Sequence, residues 1–116
     1  MATRATYQFM TEDQPNQTVY IHNDNYPRGA AEHLQGCSTA DELLAKNSRA
    51  EITDGHESYG DTEWRYNILK NQKSGNVWIS VFMRIGFSDD WKEVFYGVPE
   101  HFNHWAQLPR NNARPY

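Results

Sequence analysis

Two neighbouring stretches constrain the fold of this chain more than any others. In T-E-W-R-Y-N-I-L-K, positions 62–70, Trp64, Tyr66 and Ile68 alternate with Glu63, Arg65 and Asn67. Apolar and polar residues alternating with a period of two mark a strand with one buried face. The polar turn N-Q-K-S-G-N leads into V-W-I-S-V-F-M-R-I, where Val77, Ile79, Val81 and Met83 face one way and Trp78, Ser80, Phe82 and Arg84 the other. That second face sets an aromatic ring, a hydroxyl and a guanidinium in line.

The flanking segments extend the pattern. Thr3 to Met10 and Thr18 to His22 are rich in β-branched and aromatic residues, and the polar linker between them makes a β-hairpin the economical reading. N-D-N-Y-P-R-G is dense in turn formers, with Pro27 suited to the first turn of a helix through Leu34 that Gly36 should interrupt. Ser38 or Thr39 should cap a second helix, Ala40 to Lys46, whose Asp41 and Glu42 suit its positive end. R-A-E-I-T and W-K-E-V-F-Y read as further strands, and Pro99 should begin a short terminal helix. The expected fold is α+β: a mostly antiparallel sheet with two or three short helices, in one domain spanning residues 1–116.

Hydrophobic residues make up only 38% of the chain, and mean hydropathy is -0.90. Much of the core must therefore come from four Trp, seven Tyr and five Phe. So thin a core would be helped by oligomerisation, and aromatic residues are also what interfaces favour. A formal charge of -4 with scattered cations argues against tracking DNA or RNA polymers, though a small anion needs only two or three cations. Cys37 is alone, which suits a reducing, cytoplasmic compartment. No segment reads as a signal peptide or membrane span, so no membrane association is expected.

Against the acidic background, the final sixteen residues, H-F-N-H-W-A-Q-L-P-R-N-N-A-R-P-Y, carry no side-chain carboxylate. Arg110 and Arg114 stand there with Trp105, Asn111 and Asn112. A guanidinium forks onto phosphate oxygens, and an aromatic face stacks on a base. The two arginines could neutralise a pyrophosphate, Phe82 or Trp105 could stack on a purine, and the amides could read hydroxyls or base edges. A solvated tail, a core Phe82, a Trp105 that packs the last helix and arginines in surface ion pairs are the plain alternatives.

Other chemistries find less support. His22, Asp24, His56, Glu57 and Asp61 match no established metal-ligand spacing, although His22 and Asp24, two apart, would share a strand face on which His56 and Asp61 could converge; the plainer reading is turn and loop capping. No metal and no cofactor is expected. Cys37 lacks a nucleophile signature, no serine sits in a G-x-S-x-G elbow, and the glycines form no phosphate-loop or dinucleotide fingerprint. The chain is therefore expected to recognise a ligand and not to be an enzyme.

Three segments, Thr3 to Phe9, Thr18 to Leu34 and His56 to Tyr66, resemble a family of small phage proteins, the anti-Thoeris signal sponges of the first-described type. The string Y-I-H…D-x-Y-P-x-G-A-A, which contains Asp24 and Tyr26, is its distinctive part. Members bind and sequester the cyclic ADP-ribose isomer that bacterial TIR-domain enzymes release on infection, without cleaving it, and so silence the downstream effector. The resemblance implies an antiparallel sheet with helices and homo-oligomers, dimers that group into hexamers, with the nucleotide held at subunit boundaries in the host bacterial cytoplasm. It places the family's late arginine pair on Arg110 and Arg114 and its stacking aromatic on Phe82. Asp24 and Tyr26 either line the pocket or only shape a turn. Some members also capture cyclic oligonucleotides in a separate pocket, whose residues the resemblance does not locate in this chain. Two other classes remain alongside the sponge: a direct protein inhibitor of a host defence protein, and a small metal-dependent hydrolase of the signal.

Overall fold

The computed structural model describes residues 3–86 and 88–113. Six strands, β1 (Ala5–Thr11), β2 (Gln17–Ile21), β3 (Glu51–Thr53), β4 (Trp64–Lys70), β5 (Val77–Arg84) and β6 (Trp91–Gly97), form one sheet in the order β3-β2-β1-β4-β5-β6. There are also three helices, α1 (Pro27–Leu34), α2 (Ala40–Lys46) and α3 (Pro99–Gln107), with a 3-10 turn at His56–Ser58 between β3 and β4 and another at Pro109–Asn112 after α3. The α+β architecture anticipated above is thus observed.

Each pairing is antiparallel except one. β1 runs parallel to β4, with Ala5 opposite Trp64 and Phe9 opposite Ile68. The helical segment after β2 supplies the crossover that a parallel pairing requires. Between β5 and β6 the register slips, Val81 facing Phe95 but Phe82 facing Glu93, which leaves Val94 as an extra residue.

The alternation in β4 and β5 decides which face is buried. Tyr7, Trp64, Tyr66, Ile68 and Val81 join Ala30, Leu34, Leu43, Phe102 and Ala106 in a single core, so the helices cover that face of the sheet. Small residues on α1 and α3 let the helices approach closely, while Tyr7 stacks on Tyr66 at 4.9 Å and Phe102 meets Tyr66 edge-on at 6.2 Å. The polar composition is compatible with a core because rings fill it. No helix among the described residues is long and apolar enough to cross a membrane.

α2 is started by local chemistry: Thr39 accepts from the Glu42 backbone N–H, and Glu42 Oε1 accepts from the Thr39 backbone at 3.1 Å, a reciprocal capping box. At α1 the local sequence supplies no such cap. Tyr26 makes no side-chain capping bond, and the Arg28 backbone N–H is instead satisfied by Asn112 Oδ1 at 2.8 Å, from 84 positions away. Asn112 also donates to the carbonyls of Ala106 and Leu108, and Asn111 donates to Trp105. One short turn therefore closes the end of α3 and the start of α1 together.

The turn before α1 is equally determined. Asp24 adopts a left-handed φ of 64°, and a Cβ at Gly29 would lie 2.1 Å from its carbonyl oxygen. Backbone cannot retreat as a flexible side chain can. Gly29→Ala should cost about 3 kcal/mol, the upper part of the overpacking range, and should displace the turn. A lowered thermal midpoint checks this; an unchanged one contradicts the close approach.

Candidate functional site

The cleft nearest to the predicted residues lies where α1 begins. It encloses about 360 Å³ and is lined by Asp24, Tyr26, Arg28, Gly29, Glu32, His33 and Asn112. Asp24, Tyr26 and Asn112, drawn from opposite ends of the sequence, are thus brought together. Arg110 is exposed on the same 3-10 turn as Asn112. Arg114 lies outside the described residues. The cleft offers a half-buried ring at Tyr26, a carboxylate at Asp24 and the guanidinium of Arg28, which is steadied by Nη2 donating to the Gln107 carbonyl at 2.9 Å. Arg28 and His33 carried no site assignment from sequence; the only signal for Arg28 was its place inside the distinctive string.

The other candidates fall elsewhere. Trp105 packs into the core face, 5.1 Å from Phe95 and 6.2 Å from Phe102, so the plain reading of that residue describes what it touches. The amides of Asn111 and Asn112 are engaged with backbone, as described above, and work first as clamps. Phe82 lies on the opposite face of the sheet from the helices, between Arg65 and Glu93 in register. One protomer therefore cannot apply Phe82 and the α1 cleft to a single small ligand.

The face that carries Phe82 is polar and aromatic. Thr6 Oγ1 and His56 Nδ1 are hydrogen-bonded at 2.6 Å, His56 Nε2 and Asn67 Oδ1 at 2.7 Å, and Asn67 Nδ2 reaches Ser80 Oγ at 3.4 Å; a neutral ring protonated at Nε2 would donate to Asn67 and accept from Thr6. These bonds suit a neutral imidazole. Burial pulls the His56 pKa below its ordinary value, assisted by the charge of Arg65 and opposed by the bond to Asn67 and by Glu57. A histidine depressed in the folded state binds its proton more readily when unfolded. Stability from this group is complete above about pH 6.5 and falls as pH drops from there through the folded-state value. The urea midpoint should decline between pH 7.5 and 5.0, and His56→Gln should flatten that decline; equal slopes for both proteins contradict the assignment.

The five residues weighed as metal ligands separate. β2 ends at Ile21 and Asp24 sits in a left-handed turn, so His22 and Asp24 do not share a strand face. His22 Nδ1 instead accepts from Arg4 Nε at 3.3 Å, and Arg4 also pairs with Asp61 at 3.0 Å. Among the described residues no group of three His, Cys, Asp or Glu side chains is placed to hold a metal ion. Burial raises the Cys37 pKa, against the lowering influence of Lys46, which favours the thiol over the thiolate.

Comparison of the chain with family models, curated proteins and solved structures gave no match.

Proposed function

We propose that this protein is a phage sponge that binds a cyclic ADP-ribose isomer, the TIR-derived immune signal, and holds it uncleaved so that the Thoeris effector is not activated. The observation that carries the reading is the meeting, at one cleft, of the distinctive D-x-Y-P-x-G string and the carboxylate-free end of the chain. Guanidinium forks for phosphate, a ring for the base and a carboxylate for ribose hydroxyls are the groups such a ligand takes.

The cleft is near the lower end of the usual volume range for ligand sites, roughly 300–1,000 Å³, and Asp24 and Glu32 offset its positive charge. A doubly charged nucleotide held there needs a further surface to enclose it. A second copy supplies one in this proposal, presenting Phe82 from its open sheet face, which accords with the dimers and hexamers that the resemblance implies. Enclosure between chains gives the slow release that sequestration demands. Binding of cyclic oligonucleotides is a further property of some members of the family; no residue of this chain is assigned to it.

The test is recovery of the ligand. Incubation with the TIR-derived signal should deplete it from solution, and heating the complex should return it intact. Altered ligand would identify a hydrolase. Ligand never depleted would favour a direct inhibitor of a host protein, for which Ile52 and Tyr96 on the two edge strands are among the exposed apolar residues.

A further inference from the structure

Two arginines lie against the ring of Trp91 on the open face of the sheet, and their circumstances differ. Arg84 is buried, and its Nε, Nη1 and Nη2 donate to the carbonyls of Thr62, Ser88 and Gly60 at 2.8, 2.7 and 3.3 Å. It ties the loops on either side of β4 and β5 together. The guanidinium of Arg65, its carbon 4.0 Å from the centre of the same ring, makes no hydrogen bond among the described residues. Its nearest carboxylate, Glu57, is 4.0 Å away on a side chain that is 83% exposed. So long and solvated a pair contributes little.

Arg65 Nε is buried without a partner and out of reach of solvent, and the 19% of the side chain that is exposed leaves the outer edge of the guanidinium to an incoming acceptor. A charged group taken this far out of water normally has its donors satisfied. The guanidinium is fixed by stacking, so an incoming acceptor would meet a preorganised fork instead of a mobile chain. Its cross-strand neighbour in β5 is Phe82, and directly opposite residues in an antiparallel pair have Cβ atoms about 4.5–5.5 Å apart. The register slip at Val81 and Phe82 falls at the same place, and bulges recur where a strand re-aims a side chain beside a site.

We infer that Arg65 is a phosphate-contacting residue, the outer edge of its guanidinium, held only by the long pair with Glu57, taking an oxyanion of a ligand whose base stacks on Phe82. The inference rests on the nucleotide reading above and adds to it a cation that lies apart from the α1 cleft and the late arginine pair. Glu57, Asp89 and Glu93 surround the position with exposed carboxylates. An anion with no ring to stack should therefore bind poorly, and selectivity should come from ring and phosphate acting together.

The experiment is calorimetric titration of the wild-type protein and of Arg65→Gln with cyclic ADP-ribose and with adenosine, which carries the base but no phosphate. Arg65→Gln should weaken cyclic ADP-ribose about 10- to 100-fold, the loss of one charge-assisted contact, and leave adenosine unchanged. A merely structural role would weaken both alike, and that result overturns the inference. Wild-type binding with no loss in Arg65→Gln overturns it too, while leaving the sponge reading in place. No binding by the wild-type protein removes both. If Arg65→Gln fails to fold, Arg65→Lys keeps the charge and the aliphatic stem but loses the fork. That variant should still bind cyclic ADP-ribose several-fold more weakly, and parity with the wild type overturns the inference.

Discussion

Asn25→Ala should cost about 4 kcal/mol or more and leave little folded protein near 37 °C. Asn25 is fully buried, and its Nδ2 donates to the carbonyls of Thr3 and Ile21 at 2.7 and 2.8 Å, while its Oδ1 accepts from the Tyr7 hydroxyl. Its own carbonyl accepts from the Tyr66 hydroxyl at 2.7 Å. Truncation leaves several buried groups without partners at about 1–3 kcal/mol each, against a total stability of about 5–15 kcal/mol. Tyr66→Phe removes a single donor and should cost about 1 kcal/mol. Urea denaturation of both variants reads the difference. A loss within 1 kcal/mol for Asn25→Ala would mean that this residue does not hold the α1 turn, and with it the cleft, against the sheet.

The second large effect is on binding. Replacing Arg110 and Arg114 together by alanine should weaken capture of cyclic ADP-ribose about 100-fold or more. Each charge-assisted contact is worth about 1.5–3 kcal/mol, and every 1.4 kcal/mol is tenfold. Arg110 is exposed on its 3-10 turn, so its replacement alone should change the thermal midpoint little, and the midpoint of the double variant is the control for folding. Equal affinity in the two proteins would remove the late arginine pair from the account. Asn112→Ala separates clamp from contact. It should lower stability through the open ends of α1 and α3 whether or not a ligand is present.

Where the fold was legible, local chemistry carried the information. The alternation around Trp64 and Val81, Pro27 and Pro99 at helix starts, and Thr39 with Glu42 at α2 each act within a few residues, so periodicity and capping rules reach them. The parallel pairing of β1 with β4 was not legible, because register between distant strands depends on how the intervening helices cross the sheet. The cap that Asn112 provides to α1 was hidden for the same reason: sequence patterns identify the residue that caps its own helix, and this one caps another.

Of the residues that the sequence singled out for a site, Asp24, Tyr26 and Asn112 meet at one cleft, while Phe82 and Trp105 lie elsewhere. Phe82 and Trp105 could not be separated from sequence, since both are aromatic residues in half-buried elements. The strand alternation set Phe82 on the face without helices, and the apolar side of α3 drew Trp105 into the core. The stacking of Arg65 on Trp91 had no sequence signal, because an alternating polar position on a strand is ordinarily solvated.

The central claim is that the protein grips a small cyclic diphosphate and keeps it intact. Titration of the purified protein with cyclic ADP-ribose isomers in a calorimeter addresses it most directly. The account predicts saturable heat with tight affinity for at least one isomer, and an affinity about 100-fold or more weaker when Arg110 and Arg114 are both neutralised. Absence of heat with every isomer, or an affinity unchanged by that double change, would contradict it.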